Sequence, residues 1–373
     1  MEKNLSSENQ KKLLSFMNSN SFSNRSDVAY SDYWKTHASR MKVKFTADGV
    51  DVSGDSGFYL PESVFRKLLR RSLIAIKTPS RVISKLYSLV QQYFGTPRFM
   101  SWSQGFDATM RHDPVTDPDL SSFRINHLEL RRNFSEVLKS AREVEIDFAK
   151  WTKFSLTSHV LVAYYFRNIL IPYIDKGKKD LKFCEIGAGS GNLASILYRE
   201  FSPRIFFIVD LPESIVNAFV HLSGLFPQAT FVLPHELENE IGLLDINDMN
   251  NDIAGCFVFL TPWQINLLPD NIIDLSINTH SFQEMTHAQI DEYFLLVERI
   301  SKIGGHFFCV NRVEKIPCKG NAYVEIQHEP PNRFYEYPWR DKNVRLIDEV
   351  SRLHRVCAAD DTAIRLERIG RVQ

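Results

Sequence analysis

The stretch CEIGAGSGNLA, residues 184–194, constrains this chain more than any other. An apolar run ends at Glu185 and Ile186. Gly187, Gly189 and Gly191 then follow at every second position, and a helical run, NLASILYREF, begins at once. Glycine lets the backbone turn sharply after a strand, and it lets a ligand approach where a Cβ would block it. The free N–H groups and dipole of the helix that follows favour a polar partner there. A second pair comes next: RIFFIVDLP reads as a strand and ESIVNAFVHLSGLFP as a helix. Strand, helix, strand, helix makes parallel βαβ units. The fold class is therefore α/β, a doubly wound, Rossmann-like sheet.

The next strand has two candidates, ATFVL at 229–233 and GCFVFLTP at 255–262. Beyond them come INLLPDNIIDLSINTHSFQEM, a helical HAQIDEYFLLVERISK, a Gly304-Gly305 turn and a strand, HFFCVNRV. TAIRLERIG, near the end, reads as an antiparallel edge strand. The first 150 residues have another character. Residues 1–30 are polar, rich in Ser and Asn, and read as flexible or loosely helical. In PESVFRKLLRRSLIAI, SRVISKLYSLVQQYF and HLELRRNFSEVLKSAREVE the apolar residues stand three and four apart, which predicts helices. The expected organisation is a flexible N-terminus over 1–30, a mostly helical lid, substrate or dimerisation domain over 31–150, and the Rossmann-like domain over 151–373.

Composition removes several functions. Lys plus Arg and Asp plus Glu both number 45, so the charge balance supplies no basic surface to displace counterions from nucleic acid. FRKLLRR at 65–71 is the densest basic stretch and reads as the solvated face of a helix. The five cysteines are scattered, with neither a disulfide framework nor zinc spacing, which fits a reducing, cytoplasmic compartment. The N-terminus lacks the apolar core of a signal peptide. HVLVAYYFRNILIPYI is too short to cross a bilayer and is broken by Arg167, so no membrane insertion is expected.

The glycine spacing separates two cofactors. A dinucleotide loop is G-x-G-x-x-G. Here it is G-x-G-x-G, with Asn192 where the third glycine would stand. Glu185 would repel a pyrophosphate but suits a cationic amino-acid group. S-adenosylmethionine carries an ammonium and a sulfonium, and no phosphate. Asp210 ends the second strand, where a carboxylate can accept hydrogen bonds from both ribose hydroxyls. NAD enzymes use the same device, so Asp210 supports a nucleoside without choosing between cofactors.

EIGAGSGN, VDLPE, LLPDNIIDLSINTHSFQEM and GGHFFCVNR resemble successive motifs of class I S-adenosylmethionine-dependent methyltransferases, over residues 155–315. DLPE and INTHSFQEM are similar, more narrowly, to the sugar O-methyltransferase family of bacterial surface-polysaccharide and secondary-metabolite pathways. The resemblance implies that Glu185, Gly187, Gly189 and Gly191 surround the methionine part of the cofactor. It implies that Asp210 holds the ribose and that Leu211 packs on the adenine. It also implies adenine contacts after the third strand, which makes Thr261, Pro262, Trp263 and Gln264 candidates. His235 and Glu236, after the other candidate strand, compete for that role. The acidic residue that the family uses for the adenine amine is absent at 261–264. Asn278 is assigned to the cofactor as well.

Methyl transfer from a sulfonium to a hydroxyl is an in-line displacement that needs alignment and removal of a proton. The base belongs at the carboxyl end of the fourth strand, where SINTHSFQEM places His280; an imidazole changes charge near neutral pH. Glu284 is the second catalytic candidate, as base or as orienter of His280. His280, Glu284 and His287 are spaced to share one helical face, which a divalent metal could use, but such a triplet is more often an exposed polar face and a metal is not favoured. No metal ligand is assigned. Arg312, at the end of the fifth strand, suits a phosphate or carboxylate of the acceptor, or a surface ion pair. Tyr335 and Trp339, in RFYEYPWR, can stack on a sugar or clasp the helical domain; Trp102 and Phe106 raise the same question. The expected partner is a small-molecule or glycan acceptor, and a homo-oligomer is compatible with the sequence. Three other readings stand beside this one: a non-sugar O or N acceptor, a binding or scaffold protein on the same fold, and an NAD oxidoreductase, which the glycine spacing disfavours.

Overall fold

The computed structural model describes residues 2–3, 5–23, 42–46, 49–53, 158–237, 255–315, 332–340, 343–351 and 365–373. The helices expected at 61–76, 80–94 and 127–145 lie outside the described residues, as do Trp102 and Phe106. The chain divides into two compact units. One comprises 1–58, 170–351 and 363–373, the other 59–169 and 352–362.

The first unit begins with β1 (Glu2–Lys3), α1 (Ser7–Met17), α2 (Asn20–Ser23), β2 (Lys42–Thr46) and β3 (Gly49–Ser53). The three strands form an antiparallel sheet in the order β1-β3-β2. Residues 1–30 read from sequence as flexible or loosely helical; here Ser7–Met17 is a capped helix. The Ser6 hydroxyl accepts the Asn9 N–H at 3.1 Å, and Leu13 and Phe16 are fully buried. Lys12 Nζ donates to the Phe231 carbonyl at 3.0 Å and pairs with Glu236 at 3.1 Å.

The described residues of the second unit are those of α3 (Ser158–Leu170) up to residue 169.

The main sheet belongs to the first unit. Its elements run β4 (Lys182–Ile186), α4 (Asn192–Phe201), β5 (Ile205–Val209), α5 (Pro212–Leu225), β6 (Thr230–Val232), β7 (Cys256–Leu260), β8 (Ile273–Thr279), α6 (His287–Ile300) and β9 (Ser301–Arg312). A small pair, β10 (Glu314–Lys315) and β11 (Asn332–Arg333), precedes β12 (Val344–Val350) and β13 (Arg365–Arg371). The eight-stranded order is β12-β13-β9-β8-β4-β5-β7-β6. The strands from β9 to β6 pair in parallel, whereas β13 and β12 are antiparallel. Every residue of β4, β5 and β7 is buried, as a strand covered on both faces requires.

Two placements differ from simple chain order. Both candidate strands after α5 form, but the later one, β7, pairs with β5, and β6 takes the outer edge. β7 is apolar throughout and fills an interior place; β6 is three residues long with only its middle residue buried. TAIRLERIG, expected at an edge, is antiparallel but interior, with β9 on one side of β13 and β12 on the other. The more exposed VRLIDEV takes the edge instead.

Alternation along the strands makes two cores. Phe183, Phe206, Phe257 and Phe259 meet Tyr198, Phe201 and Phe219 of α4 and α5. Cys184, Ile186, Phe207, Val258 and Cys309 pack on the other face with Ile290, Phe294 and Val297 of α6. Each fully buried aromatic contributes about 1.5–3 kcal/mol. The connections from β4 and β8 leave in opposite directions, so the switch point of the sheet, where open α/β sheets bind ligands, lies at their carboxyl ends. Among the described residues no helix is long and apolar enough to cross a membrane.

Candidate functional site

The three glycines after β4 all occupy the left-handed region, with φ of +74° at Gly187, +58° at Gly189 and +73° at Gly191. A side chain there costs roughly 1–2 kcal/mol. The first position is also sterically closed: a Cβ on Gly187 would lie 2.1 Å from Ser281 Oγ. Gly189 faces open space, with nothing within 4 Å of where a Cβ would stand. One glycine thus admits the chain opposite it, and the other leaves room for a ligand.

Beneath this loop sit two buried carboxylates. Glu185 is 1% exposed and accepts the Ala194 N–H in the first turn of α4. Its Oε2 is buried with no hydrogen-bond partner. Burial, then the charge of Asp210, pushes the Glu185 carboxyl up to about 8. Asp210 follows β5, and its N–H donates to the Leu260 carbonyl at the end of β7 at 3.1 Å. Its Oδ2 accepts the Gly189 N–H and its Oδ1 the Leu211 N–H, each at 2.7 Å, and Ser214 adds a hydroxyl. Burial raises its pKa to about 6 against those hydrogen bonds. The loop is thus tied to the neighbouring strand end through a carboxylate that keeps acceptor capacity. A cation beside Glu185 Oε2 would relieve the only bare oxygen of the pair.

The two sets of adenine candidates differ in place. Pro262 and Trp263 are half-buried and follow β7, the strand next to β5. Thr261 and Gln264 are turned inward. Gln264 Oε1 accepts from Thr261 N at 3.1 Å and from Thr261 Oγ1 at 2.9 Å, and Gln264 Nε2 donates to the Pro234 carbonyl at 2.9 Å. They clip β7 to the turn after β6. The competing pair stands one strand further out and is engaged by α1: Glu236 with Lys12, and His235 stacked on Phe16 at 6.1 Å. Leu211, buried, lies at the first turn of α5 beside Asp210.

Asn278, read as a cofactor contact, is fully buried and its amide is saturated by the protein. Its Nδ2 donates to the Ile186 carbonyl at 3.0 Å and to Ser281 Oγ at 2.5 Å. Its Oδ1 accepts from Asn311 Nδ2 at 2.8 Å. It is a tie between strand ends, not a ligand-facing group. Ser281 completes that tie with a bond to the Ile186 carbonyl at 3.2 Å, while its side chain fills the space that the missing Gly187 Cβ leaves. Sequence reasoning gave Ser281 no role; the signal was the pairing of a small hydroxyl residue with the first glycine, visible only in three dimensions.

His280 stands at the carboxyl end of β8 with φ +63°, and its N–H bonds the Val310 carbonyl at 2.7 Å. A left-handed histidine is an uncommon backbone state of the kind that gathers at functional sites. Glu284 is half-buried in the short 3-10 turn that follows. The shared helical face of His280, Glu284 and His287 does not form. A new helix begins at His287, with Thr286 and Gln289 closing a capping box. Among the described residues no group of three or more His, Cys, Asp or Glu gathers to hold a metal.

Arg312 ends β9, and its N–H is held by Gln283 Oε1 at 2.9 Å. Trp339, read as a sugar platform, is half-buried and packs against the core. It packs on Phe294 at 4.9 Å and Phe334 at 5.0 Å, donates its Nε1–H to the Phe334 carbonyl at 2.8 Å, and is covered by the Arg368 guanidinium at 4.1 Å. Tyr335, in the same turn, is 58% exposed.

No described protein family and no curated protein sequence matches the chain. Among solved structures it is similar to a geranyl diphosphate C-methyltransferase from Streptomyces coelicolor A3(2), in complex with Mg2+, geranyl-S-thiolodiphosphate and S-adenosyl-L-homocysteine. That likeness has a TM-score of 0.36 and 11% identity, over 57% of this chain and 79% of the other. A Haemonchus contortus phosphoethanolamine N-methyltransferase 2, in complex with phosphomonomethylethanolamine and S-adenosylhomocysteine, is similar at TM-score 0.25 and 14% identity, over 39% of this chain. The chain spans 28% of that enzyme's length. At such identities and TM-scores neither likeness decides cofactor or acceptor, which rest on the residues.

Proposed function

We propose that this chain is an S-adenosylmethionine-dependent O-methyltransferase acting on a hydroxyl of a sugar-bearing small molecule. The observation that carries the cofactor reading is the bare, buried Oε2 of Glu185 beneath three left-handed glycines, one strand from Asp210. An ammonium beside that oxygen would favour the ionised carboxylate and be neutralised by it, whereas a pyrophosphate gains nothing from the carboxyl. Glu185 would hold the amino-acid end, Asp210 the ribose hydroxyls, Leu211 an adenine face, and Pro262 and Trp263 the adenine edge. When bound, the cofactor supplies an electrophilic methyl group on its sulfonium. His280 would then take the proton of the acceptor hydroxyl, with Glu284 in the next turn to orient it. The sugar as acceptor rests on the motif resemblance of DLPE and INTHSFQEM alone. Calorimetric titration with S-adenosylmethionine and with NADH tests the cofactor. The expected outcome is micromolar binding of the first and none of the second; the reverse would sink the reading. Transfer of a labelled methyl group across a panel of nucleotide sugars and non-sugar alcohols and amines then tests the acceptor.

A further inference from the structure

We propose that the acceptor carries an oxyanion, a phosphate or a carboxylate, and that Arg312 binds it; only the word acceptor rests on the methyl-transfer reading. Arg312 Nε is buried without a hydrogen-bond partner. No ion pair among the described residues includes Arg312. A guanidinium does not deprotonate, and a buried polar group left unmade is destabilising. Three other described arginines have carboxylate partners, although Arg368 also keeps one buried nitrogen without a hydrogen bond. Arg368 has both oxygens of Asp348 at 3.0 Å and the face of Trp339. Arg333 has Glu314 and Glu336. Arg299 has Asp270 and the Ile265 carbonyl.

Arg312 is also held in place relative to the reacting edge. Its N–H bonds Gln283 Oε1 at 2.9 Å, and the Gln283 N–H bonds Asn311 Oδ1 at 3.2 Å. Asn311 Nδ2 bonds Asn278 Oδ1, and Asn278 bonds the Ile186 carbonyl at the root of the glycine loop. Asn278, Asn311 and Gln283 are all buried. This amide ladder therefore runs unbroken from the cofactor loop to Arg312. Thr279 and Val310 are partners in the β8–β9 register, which sets His280 and Arg312 at the ends of adjacent strands. Arg365, with interactions of its own, stands directly opposite Arg312 on β13 and adds positive charge at the same edge. Like charges directly opposed on neighbouring strands are unfavourable, and an oxyanion beside them reverses that sign. A neutral hydroxyl could accept one N–H bond, but only an oxyanion meets the fork with two acceptors and cancels the charge.

The test is titration of the protein with inorganic phosphate and, separately, with acetate, at ionic strength held constant with chloride. The two arms distinguish the phosphate from the carboxylate source. The expected Kd of the preferred anion is on the order of 1 mM, as one charge-assisted fork gives. Arg312→Gln should weaken it at least tenfold, while Arg345→Gln, at an exposed position on β12, leaves it within twofold. No binding of either anion, or binding unchanged in Arg312→Gln, overturns the proposal. Should Arg312→Gln not fold, Arg312→Lys keeps the charge and loses the fork; a loss of threefold or more supports the site, and unchanged affinity overturns it. S-adenosylhomocysteine is titrated in parallel. If it fails to bind while phosphate binding still maps to Arg312, the methyl-transfer reading falls and the oxyanion site stands.

Discussion

The central strands carry buried carboxylates at both ends, and the two ends treat them in opposite ways. Asp274, near the amino end of β8, is 8% exposed and fully engaged: Lys178 at 2.6 Å, Lys302 at 3.0 Å and the Lys182 N–H at 2.9 Å. Glu185, at the carboxyl end of the adjacent β4, is more deeply buried and has only one backbone N–H and a bare oxygen. Burial disfavours a charge in both places. At one end the fold supplies the counter-charges. At the other it supplies amides, glycines and space. A buried charge that the chain itself pairs is architecture; one that it leaves short of a partner is a place prepared for a ligand.

The largest effect that sharpens this contrast is expected at Gly187. Gly187→Ala combines a left-handed φ with a Cβ placed 2.1 Å from Ser281 Oγ. It should lower stability by about 3 kcal/mol and abolish binding of S-adenosylhomocysteine, as urea denaturation and calorimetry would show. Adding Ser281→Gly should recover the steric part and leave the φ part. Asp210→Ala comes next. It should weaken S-adenosylhomocysteine by roughly 100-fold, or about 2.7 kcal/mol, and lower stability by about 1–2 kcal/mol because the Gly189 and Leu211 N–H groups lose their acceptor. Glu185→Gln is smaller and depends on pH. Affinity of the wild type should rise between pH 6.5 and 8.5, because a cation binds the ionised form of a carboxyl whose free-state pKa is about 8. Affinity of the variant should stay flat. The stability sign is opposite: the folded carboxyl keeps a proton that the unfolded chain has released. Its contribution therefore falls as pH rises from about 4.5 to about 8, and ligand-free Glu185→Gln should be the more stable protein at pH 8.5. The smallest effect belongs to the paired end. Asp274→Asn should cost about 1–2 kcal/mol of stability and leave S-adenosylhomocysteine affinity within twofold. A large loss of affinity there would break the comparison.

The parts of this account that were legible in the sequence are those written in local pattern. Apolar runs, glycine spacing and helix periodicity placed β4, α4, β5 and α5 and brought Glu185, the glycines and Asp210 to neighbouring strand ends. The order of β6 and β7 was not legible, since two apolar runs say nothing of which lies next to β5. Side-chain direction was also hidden. Thr261, Gln264, Asn278 and Trp339 have the chemistry of ligand contacts, yet register and turn geometry aim them at Pro234, Ile186, Asn311 and the α6 core. One signal was present and missed. Thr286-x-x-Gln289 is a capping box; together with the helical run read from His287 onward, it separates this residue from His280 and Glu284. Another was Ser6, a capping residue that starts a helix at Ser7 where the reading left flexible and loosely helical open.

The central claim is that Glu185 waits, protonated, for a cation. The most direct measurement is calorimetric titration of S-adenosylhomocysteine at pH 7.0 in two buffers of different ionisation enthalpy, with wild type and Glu185→Gln. A carboxyl with a free-state pKa of about 8 is mostly protonated at that pH and ionises beside the ligand's ammonium. The account predicts release of close to one proton per ligand by the wild type and none by the variant. Binding with equal proton release in both proteins would contradict it.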